Sequence, residues 1–269
     1  DLSMVQNHIV PRLGERIMGD LIPPDLAKFV EKMKAEDYAP GTCNRALVLL
    51  RYGYTLAVRW RLPGIGSNPM LEVKNLRDDN KIERFLSEEQ LARLVHCVKH
   101  SDNSMLYYIV VFLLYTGARK REVLDARWSE VDFEHKVLWV PPERSKSRKP
   151  RPIALSYAAI ELIKSLPRDP DVPYLFFNPR TRKPPVSIFV AWDSIRRKAG
   201  LADVRLHDLR HSYASFLVNA GRSLYEVQRL LGHQDPKVTM RYAHLSQGAM
   251  VEAANHVADI LGSPQTPGR

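Results

Sequence analysis

Cysteine is scarce in this chain: Cys43 and Cys97 are the only two in 269 residues. Two thiols exclude a disulfide framework as the basis of the fold, and they fit a reducing, cytoplasmic setting. Both fall in helical apolar patterns and read as small core residues. No cysteine–histidine cluster has zinc spacing, so no metal site is expected. Long hydrophobic runs are missing as well. The run containing Tyr107–Tyr115 falls short of the roughly 20 apolar residues that cross a bilayer, so no membrane partner is expected. No charged-then-apolar leader opens the sequence, and there is no internal repeat or low-complexity tract.

What is present is an ordinary globular composition with a basic excess. Apolar residues make up 45% of the chain and the net charge is +10. The length allows one large domain or two modest ones with real cores. The charge, spread along the chain rather than gathered in a tail, favours a polyanionic partner, with nucleic acid first among them.

The opening stretch, 1–22, has no clear period, and Val10-Pro11-Arg12-Leu13-Gly14 reads as a loop. Pro23-Pro24-Asp25 starts a helix through about Ala35, with Leu26, Phe29, Val30 and Met33 on one face. Thr42 is the expected N-cap of a longer helix through about Trp60. The breaker-rich stretch Leu62–Pro69 and the charged stretch from Asn75 to Lys81 lead into a linker. This places an all-α domain over 1–80 and a second domain over 81–269. In the second, Ser87-Glu88-Glu89-Gln90 opens a helix. Further helices are expected at about 87–99, 104–116, 119–126, 157–165, 187–199, 207–220, 223–232, 236–243 and 247–261. Lys136–Val140 and Arg151–Leu155 read as paired strands around a basic turn, and Tyr174–Phe177 as another short strand. The predicted fold class is mainly α with a small antiparallel β-sheet: an α+β domain behind an all-α one.

Four short strings stand out. Thr116-Gly117-Ala118-Arg119 joins two helices, with Glu122 three residues after the arginine. Arg144-Ser145-Lys146-Ser147-Arg148-Lys149 is a basic turn. His207-Asp208-Leu209-Arg210 puts a histidine and an arginine on one helix face. Leu230-Leu231-Gly232-His233 ends a helix at a glycine, and Tyr242 follows nine residues after His233. Singly, each has an ordinary explanation as a capped helix, a solvated turn or a half-core tyrosine.

Taken in chain order, Arg119, Lys146, His207, Arg210, His233 and Tyr242 resemble the catalytic constellation of the tyrosine recombinases, the family of phage integrases. The likeness is strong over about 87–250 and weaker over 1–80, which resembles that family's helical core-binding domain. Arg121 departs from the small residue expected there. The resemblance implies DNA breakage and rejoining through a 3′-phosphotyrosyl intermediate, without metal, ATP or cofactor. Tyr242 would be the nucleophile. Arg119 and Arg210 would hold the phosphate charge with planar donors. Lys146 would protonate the leaving oxygen, His207 would take the tyrosine proton and His233 would bond a non-bridging oxygen. Glu122 and Asp208 would support them. Arg45, Arg51, Arg144, Arg148, Lys149 and Arg151 are the expected phosphate contacts to double-stranded DNA.

The implied assembly is a homo-tetramer on paired sites, nucleoid-associated, with accessory DNA-bending proteins as further partners. The implied task is integration or excision of a mobile element. Such integrases often carry an arm-binding domain ahead of the segment seen here. The apolar stripe of 247–261 is expected to dock on a neighbouring protomer. Two rivals remain open on the residues: a type IB-like topoisomerase, and a catalytically idle DNA-binding relative.

Overall fold

The computed structural model describes residues 1–77, 84–145 and 148–246. Lys146, on the expected basic turn, and the expected last helix at 247–261 lie outside the described residues. The chain divides into two compact units, with the boundary between positions 82 and 83.

The first unit is all helical among its described residues. Helical turns occupy Leu2–Met4, Val5–Ile9 and Val10–Leu13, the last of them within the stretch Val10–Gly14 expected as a loop. Pro11 has no N–H and would crowd the carbonyl a turn before it in a regular α-helix. Here the preceding turn is a π-turn, which loosens the ladder just ahead of the proline. Helix α1 spans Pro23–Ala35 and buries Leu26, Phe29, Val30 and Met33, as their spacing predicts. Helix α2 spans Pro40–Arg59, starting two residues ahead of the expected Thr42 cap because Pro40 suits the first helical turn. Its Cys43, Ala46, Leu47 and Tyr54 share the same core. Tyr54 Oη donates to Met18 O at 2.8 Å, so the buried ring keeps a polar partner.

The second unit is built around a central apolar helix. Helices α3 (Glu88–Lys99), α4 (Ser104–Thr116) and α5 (Lys120–Leu124) come first. Ser87 and Gln90 form the expected capping box on α3. α4 buries residues all round its circumference and therefore sits in the middle of the core. Strands β1 (Val131–Asp132), β2 (Val137–Val140) and β3 (Arg151–Ala154) form an antiparallel sheet in the order β1-β2-β3. Val140 pairs with Arg151 and Trp139 with Pro152, which an edge strand tolerates.

Then come α6 (Tyr157–Lys164), α7 (Phe189–Lys198), α8 (Asp208–Asn219), α9 (Leu224–Leu231) and α10 (Pro236–Thr239). Two expectations fail here. Tyr174–Phe177 is no strand: Tyr174 makes one isolated bridge to Arg127. Tyr242 lies on a 3₁₀ stretch, Met240–Ser246, rather than on a continued α-helix. Among the described residues no helix is long and apolar enough to cross a membrane. The small sheet among helices matches the expected fold class.

Candidate active site

Two left-handed glycines set the frame. Gly117 ends α4 at φ +58°, and its N–H donates to Leu113 O at 2.9 Å. Gly232 ends α9 at φ +64°. Only glycine enters this region without a Cβ penalty. Each also admits a close neighbour. A Cβ on Gly117 would lie 2.3 Å from the Tyr213 ring, and one on Gly232 would lie 2.1 Å from Arg151 Nε.

At the Gly232 end lies a cavity of about 320 Å³, lined by Arg119, Ser145, Arg151, His207, Arg210 and His233 among others. Arg119 enters from the N-terminus of α5. Glu122 on the same turn accepts its backbone N–H and its Nη1, both at 2.8 Å. Arg210 comes from the first turns of α8 and is 4% exposed. Its Nη1 donates to Gly117 O and its Nη2 to Leu231 O, each at 2.6 Å. Burial, reinforced by the charges of Arg151 and Arg119, pushes its guanidinium down to about 9, which leaves it charged at neutral pH. His233 follows Gly232, and its Nδ1 shares a hydrogen bond with the buried Thr239 hydroxyl at 2.9 Å. Burial and the nearby Arg210 and Arg119 push His233 down to about 3, so the ring is neutral. His207 stands exposed at the start of α8.

Glu122 is the buried counter-charge of this cationic pocket, 4% exposed. Burial alone would raise its carboxyl. The Arg151 charge, the Arg119 N–H and the two guanidiniums outweigh that and hold it below the usual carboxylate value. Asp208 is fully buried but serves another partner: it accepts Arg205 N at 2.7 Å and Arg205 Nη2 at 2.8 Å, closing the turn that leads into α8. It thereby fixes the turn that precedes His207.

Tyr242 is 5% exposed and packs with Ala214, Val218, Val227 and Leu231. Its hydroxyl is 2.6 Å from Nδ1 of His211, a residue the sequence reading passed over. The one available signal was that His211 falls four positions after His207 on α8, and the two rings do stack edge-on at 5.0 Å.

The expected DNA contacts sort unevenly. Arg148 and Lys149 are exposed. Arg45 is exposed and pairs with Asp1. Three others are engaged in holding the fold. Arg51 donates to Val73 O at 2.9 Å and Met70 O at 3.3 Å. Arg144 pairs with Glu130. Arg151, 7% exposed, is buried against Glu122 rather than displayed on a hairpin surface. Among the described residues, no group of three or more histidine, cysteine or acidic side chains is placed to hold a metal ion.

Residues 84–248 match the model of the phage integrase family. The chain belongs to that family. The integrase of Salmonella phage P22 is 29% identical over 215 residues, which cover 76% of this chain and 54% of that protein. The chain thus spans about half the length of that phage relative. A tyrosine recombinase of Thermosipho africanus is 30% identical over 237 residues, covering 85% of this chain and 82% of the other. The Tn1549 transposon integrase, solved in complex with transposon right end DNA, shares the fold with a TM-score of 0.74 at 18% identity, covering 94% of this chain and 91% of that one. Arg119, at the start of α5, and His207 and Arg210, at the start of α8, line the same cavity.

Proposed function

We propose that this chain is a site-specific DNA recombinase that integrates or excises a mobile element through a 3′-phosphotyrosyl intermediate. The observation that carries this is the convergence of Arg119, His207, Arg210 and His233 on one cavity of about 320 Å³. Two guanidiniums and two imidazoles in a partly desolvated pocket match the needs of a phosphodiester. Its pentavalent transition state gathers charge on the non-bridging oxygens, and fixed planar cations stabilise that charge.

In the proposed reaction Tyr242 Oη attacks phosphorus and gives up its proton to a neutral imidazole. His207 lines the cavity, while His211 holds the hydroxyl in the arrangement seen. The bond from phosphorus to the 5′-oxygen breaks, and Lys146 protonates that oxygen. Ser145, its neighbour in sequence, lines the cavity. Rejoining reverses these steps and conserves the bond energy. Arg119 and Arg210 hold the phosphate, His233 donates to a non-bridging oxygen, and Glu122 positions Arg119. Asp208 supports His207 through the turn it closes.

Residues 1–80 would act as a helical core-type DNA-binding domain and 81–269 as the catalytic domain, on double-stranded DNA. Arg148, Lys149 and Arg45 are the phosphate contacts the exposure pattern favours. A homo-tetramer on paired sites, aided by DNA-bending proteins, would carry out strand exchange. The phage and transposon relatives support the mobile-element role.

The test is trapping on nicked duplexes made from DNA flanking the gene. The wild-type chain should form a denaturation-resistant adduct, and Tyr242→Phe should form none while binding the same DNA within about twofold. An adduct with the Phe variant refutes Tyr242 as the nucleophile. Relaxation of plasmid lacking any such site would favour the topoisomerase reading, and binding without any adduct would favour an idle relative.

A further inference from the structure

The buried side chain of Arg151 has no part in the chemistry just described, yet it bonds to two of the elements that frame the cavity, α5 and the end of α9. Its Nη1 pairs with Glu122 Oε2. The same carboxylate accepts Arg119 Nη1 through its other oxygen at 2.8 Å. Its Nη2 donates to Leu231 O at 2.6 Å and to Leu230 O at 3.2 Å. Leu231 O also accepts Arg210 Nη2 at 2.6 Å, and Gly232 O accepts Arg119 Nη2 at 3.4 Å. The C-terminal carbonyls of α9 are thus a node where three guanidiniums meet. A helix C-terminus carries a partial negative charge, which suits three cations. Gly232 leaves the room for it, since a Cβ there would overlap Arg151 Nε.

Arg151 is also the first residue of β3, so this node is tied to the edge strand of the sheet. We propose that Arg151 is a positioning residue for strand cleavage. One guanidinium sets Arg119 through Glu122 and sets His233 through the end of α9. The proposal rests on the recombinase reading. Arginine is required because a single planar fork must reach a carboxylate on one side and two carbonyls on the other. A lysine ammonium is a point charge and cannot span them.

The test compares wild type with Arg151→Lys in single-turnover cleavage of a nicked duplex. One substrate carries an ordinary scissile phosphate. The other carries a neutral methylphosphonate, which removes the charge that Arg119 must stabilise. Half-site binding and melting temperature are measured alongside. Arg151→Lys should slow cleavage of the ordinary phosphate by about 100-fold, as a misplaced catalytic group does, with half-site binding within about threefold. On the methylphosphonate the deficit should shrink to less than about tenfold. In an Arg119→Ala background the Arg151 substitution should cost far less than in wild type, because both act through one group.

Equal deficits on both substrates, or full additivity with Arg119→Ala, would mean that Arg151 merely holds the fold together and would overturn the proposal. So would wild-type rates in Arg151→Lys. Should that variant melt too early, Arg151→Met with Glu122→Gln removes both buried charges and is read by the same comparison. A wild-type chain that forms no adduct overturns the recombinase reading, and this proposal with it. An active wild type with an unimpaired variant overturns this proposal alone.

Discussion

The hydroxyl of Tyr242 and Nδ1 of His211 lie 2.6 Å apart, and the bond ties the 3₁₀ stretch after α10 to α8. Arg210 and His211 are consecutive on α8 and point about 100° apart, as successive helical residues do. Arg210 reaches Gly117 and Leu231 at the cavity, while His211 reaches Tyr242. The proposed nucleophile is therefore held by the same helix that carries the proposed phosphate ligand.

That bond has a pH signature. Burial, with the charges of His207 and Arg241 adding to it, pushes His211 down to about 4, and burial pushes His233 down to about 3. The unfolded rings take up protons near their ordinary value of about 6.5. The unfolded state therefore binds more protons below that pH, and stability falls as the pH drops towards the folded values. Melting temperature should be level above about pH 6.5 and decline steadily from there to about pH 4. His211→Gln and His233→Gln should each make the decline shallower. An unchanged slope in both variants would show that these rings are not the groups responsible.

Glu122→Ala should be among the most damaging substitutions in the second unit. It leaves the guanidiniums of Arg119 and Arg151 without the carboxylate they share. Breaking a buried ion pair by removing one partner costs about 3–5 kcal/mol. Urea unfolding should report a loss of this order, and covalent adduct should fall below detection. A loss under about 1 kcal/mol would mean the carboxylate is not the counter-charge of the pocket.

Gly117→Ala tests the helix end that accepts Arg210. A left-handed alanine costs roughly 1–2 kcal/mol on its own. The added Cβ would also overlap the Tyr213 ring, at 2.3 Å. Stability should drop by more than the backbone cost alone, and adduct formation should drop with it. Tyr213→Ala in the same chain should restore part of the loss by opening space; no recovery would place the strain elsewhere.

Lys146 is testable by the leaving group. Lys146→Ala should cleave ordinary DNA poorly. Replacing the 5′-bridging oxygen by sulfur gives a leaving group that needs no proton, so the variant should recover. The same DNA should not rescue Arg119→Ala to a similar degree. Equal rescue of both would mean the lysine is not a dedicated acid. Cleavage by wild type should also persist in excess EDTA.

Most helices of the second unit are legible in the sequence, because their signals are local. Ser87 and Gln90 cap α3, the apolar length of α4 makes it central, and Gly117 and Gly232 stop their helices. The amino-acid sequence by itself also determined the chain order of Arg119, His207, Arg210, His233 and Tyr242, since motif spacing is a property of the chain. Only the tertiary structure decided which cations face outward. Arg148 and Arg151 stand three residues apart in one basic stretch, yet one is exposed and the other buried. The difference is made by Glu122 and the end of α9, which lie 29 and about 80 positions away in the chain. An isolated arginine carries no mark of the distant carboxylate that will desolvate it. For the same reason only the fold could show that the Tyr242 hydroxyl meets His211: the two are 31 positions apart, and the packing of the 3₁₀ turn on α8 brings them together.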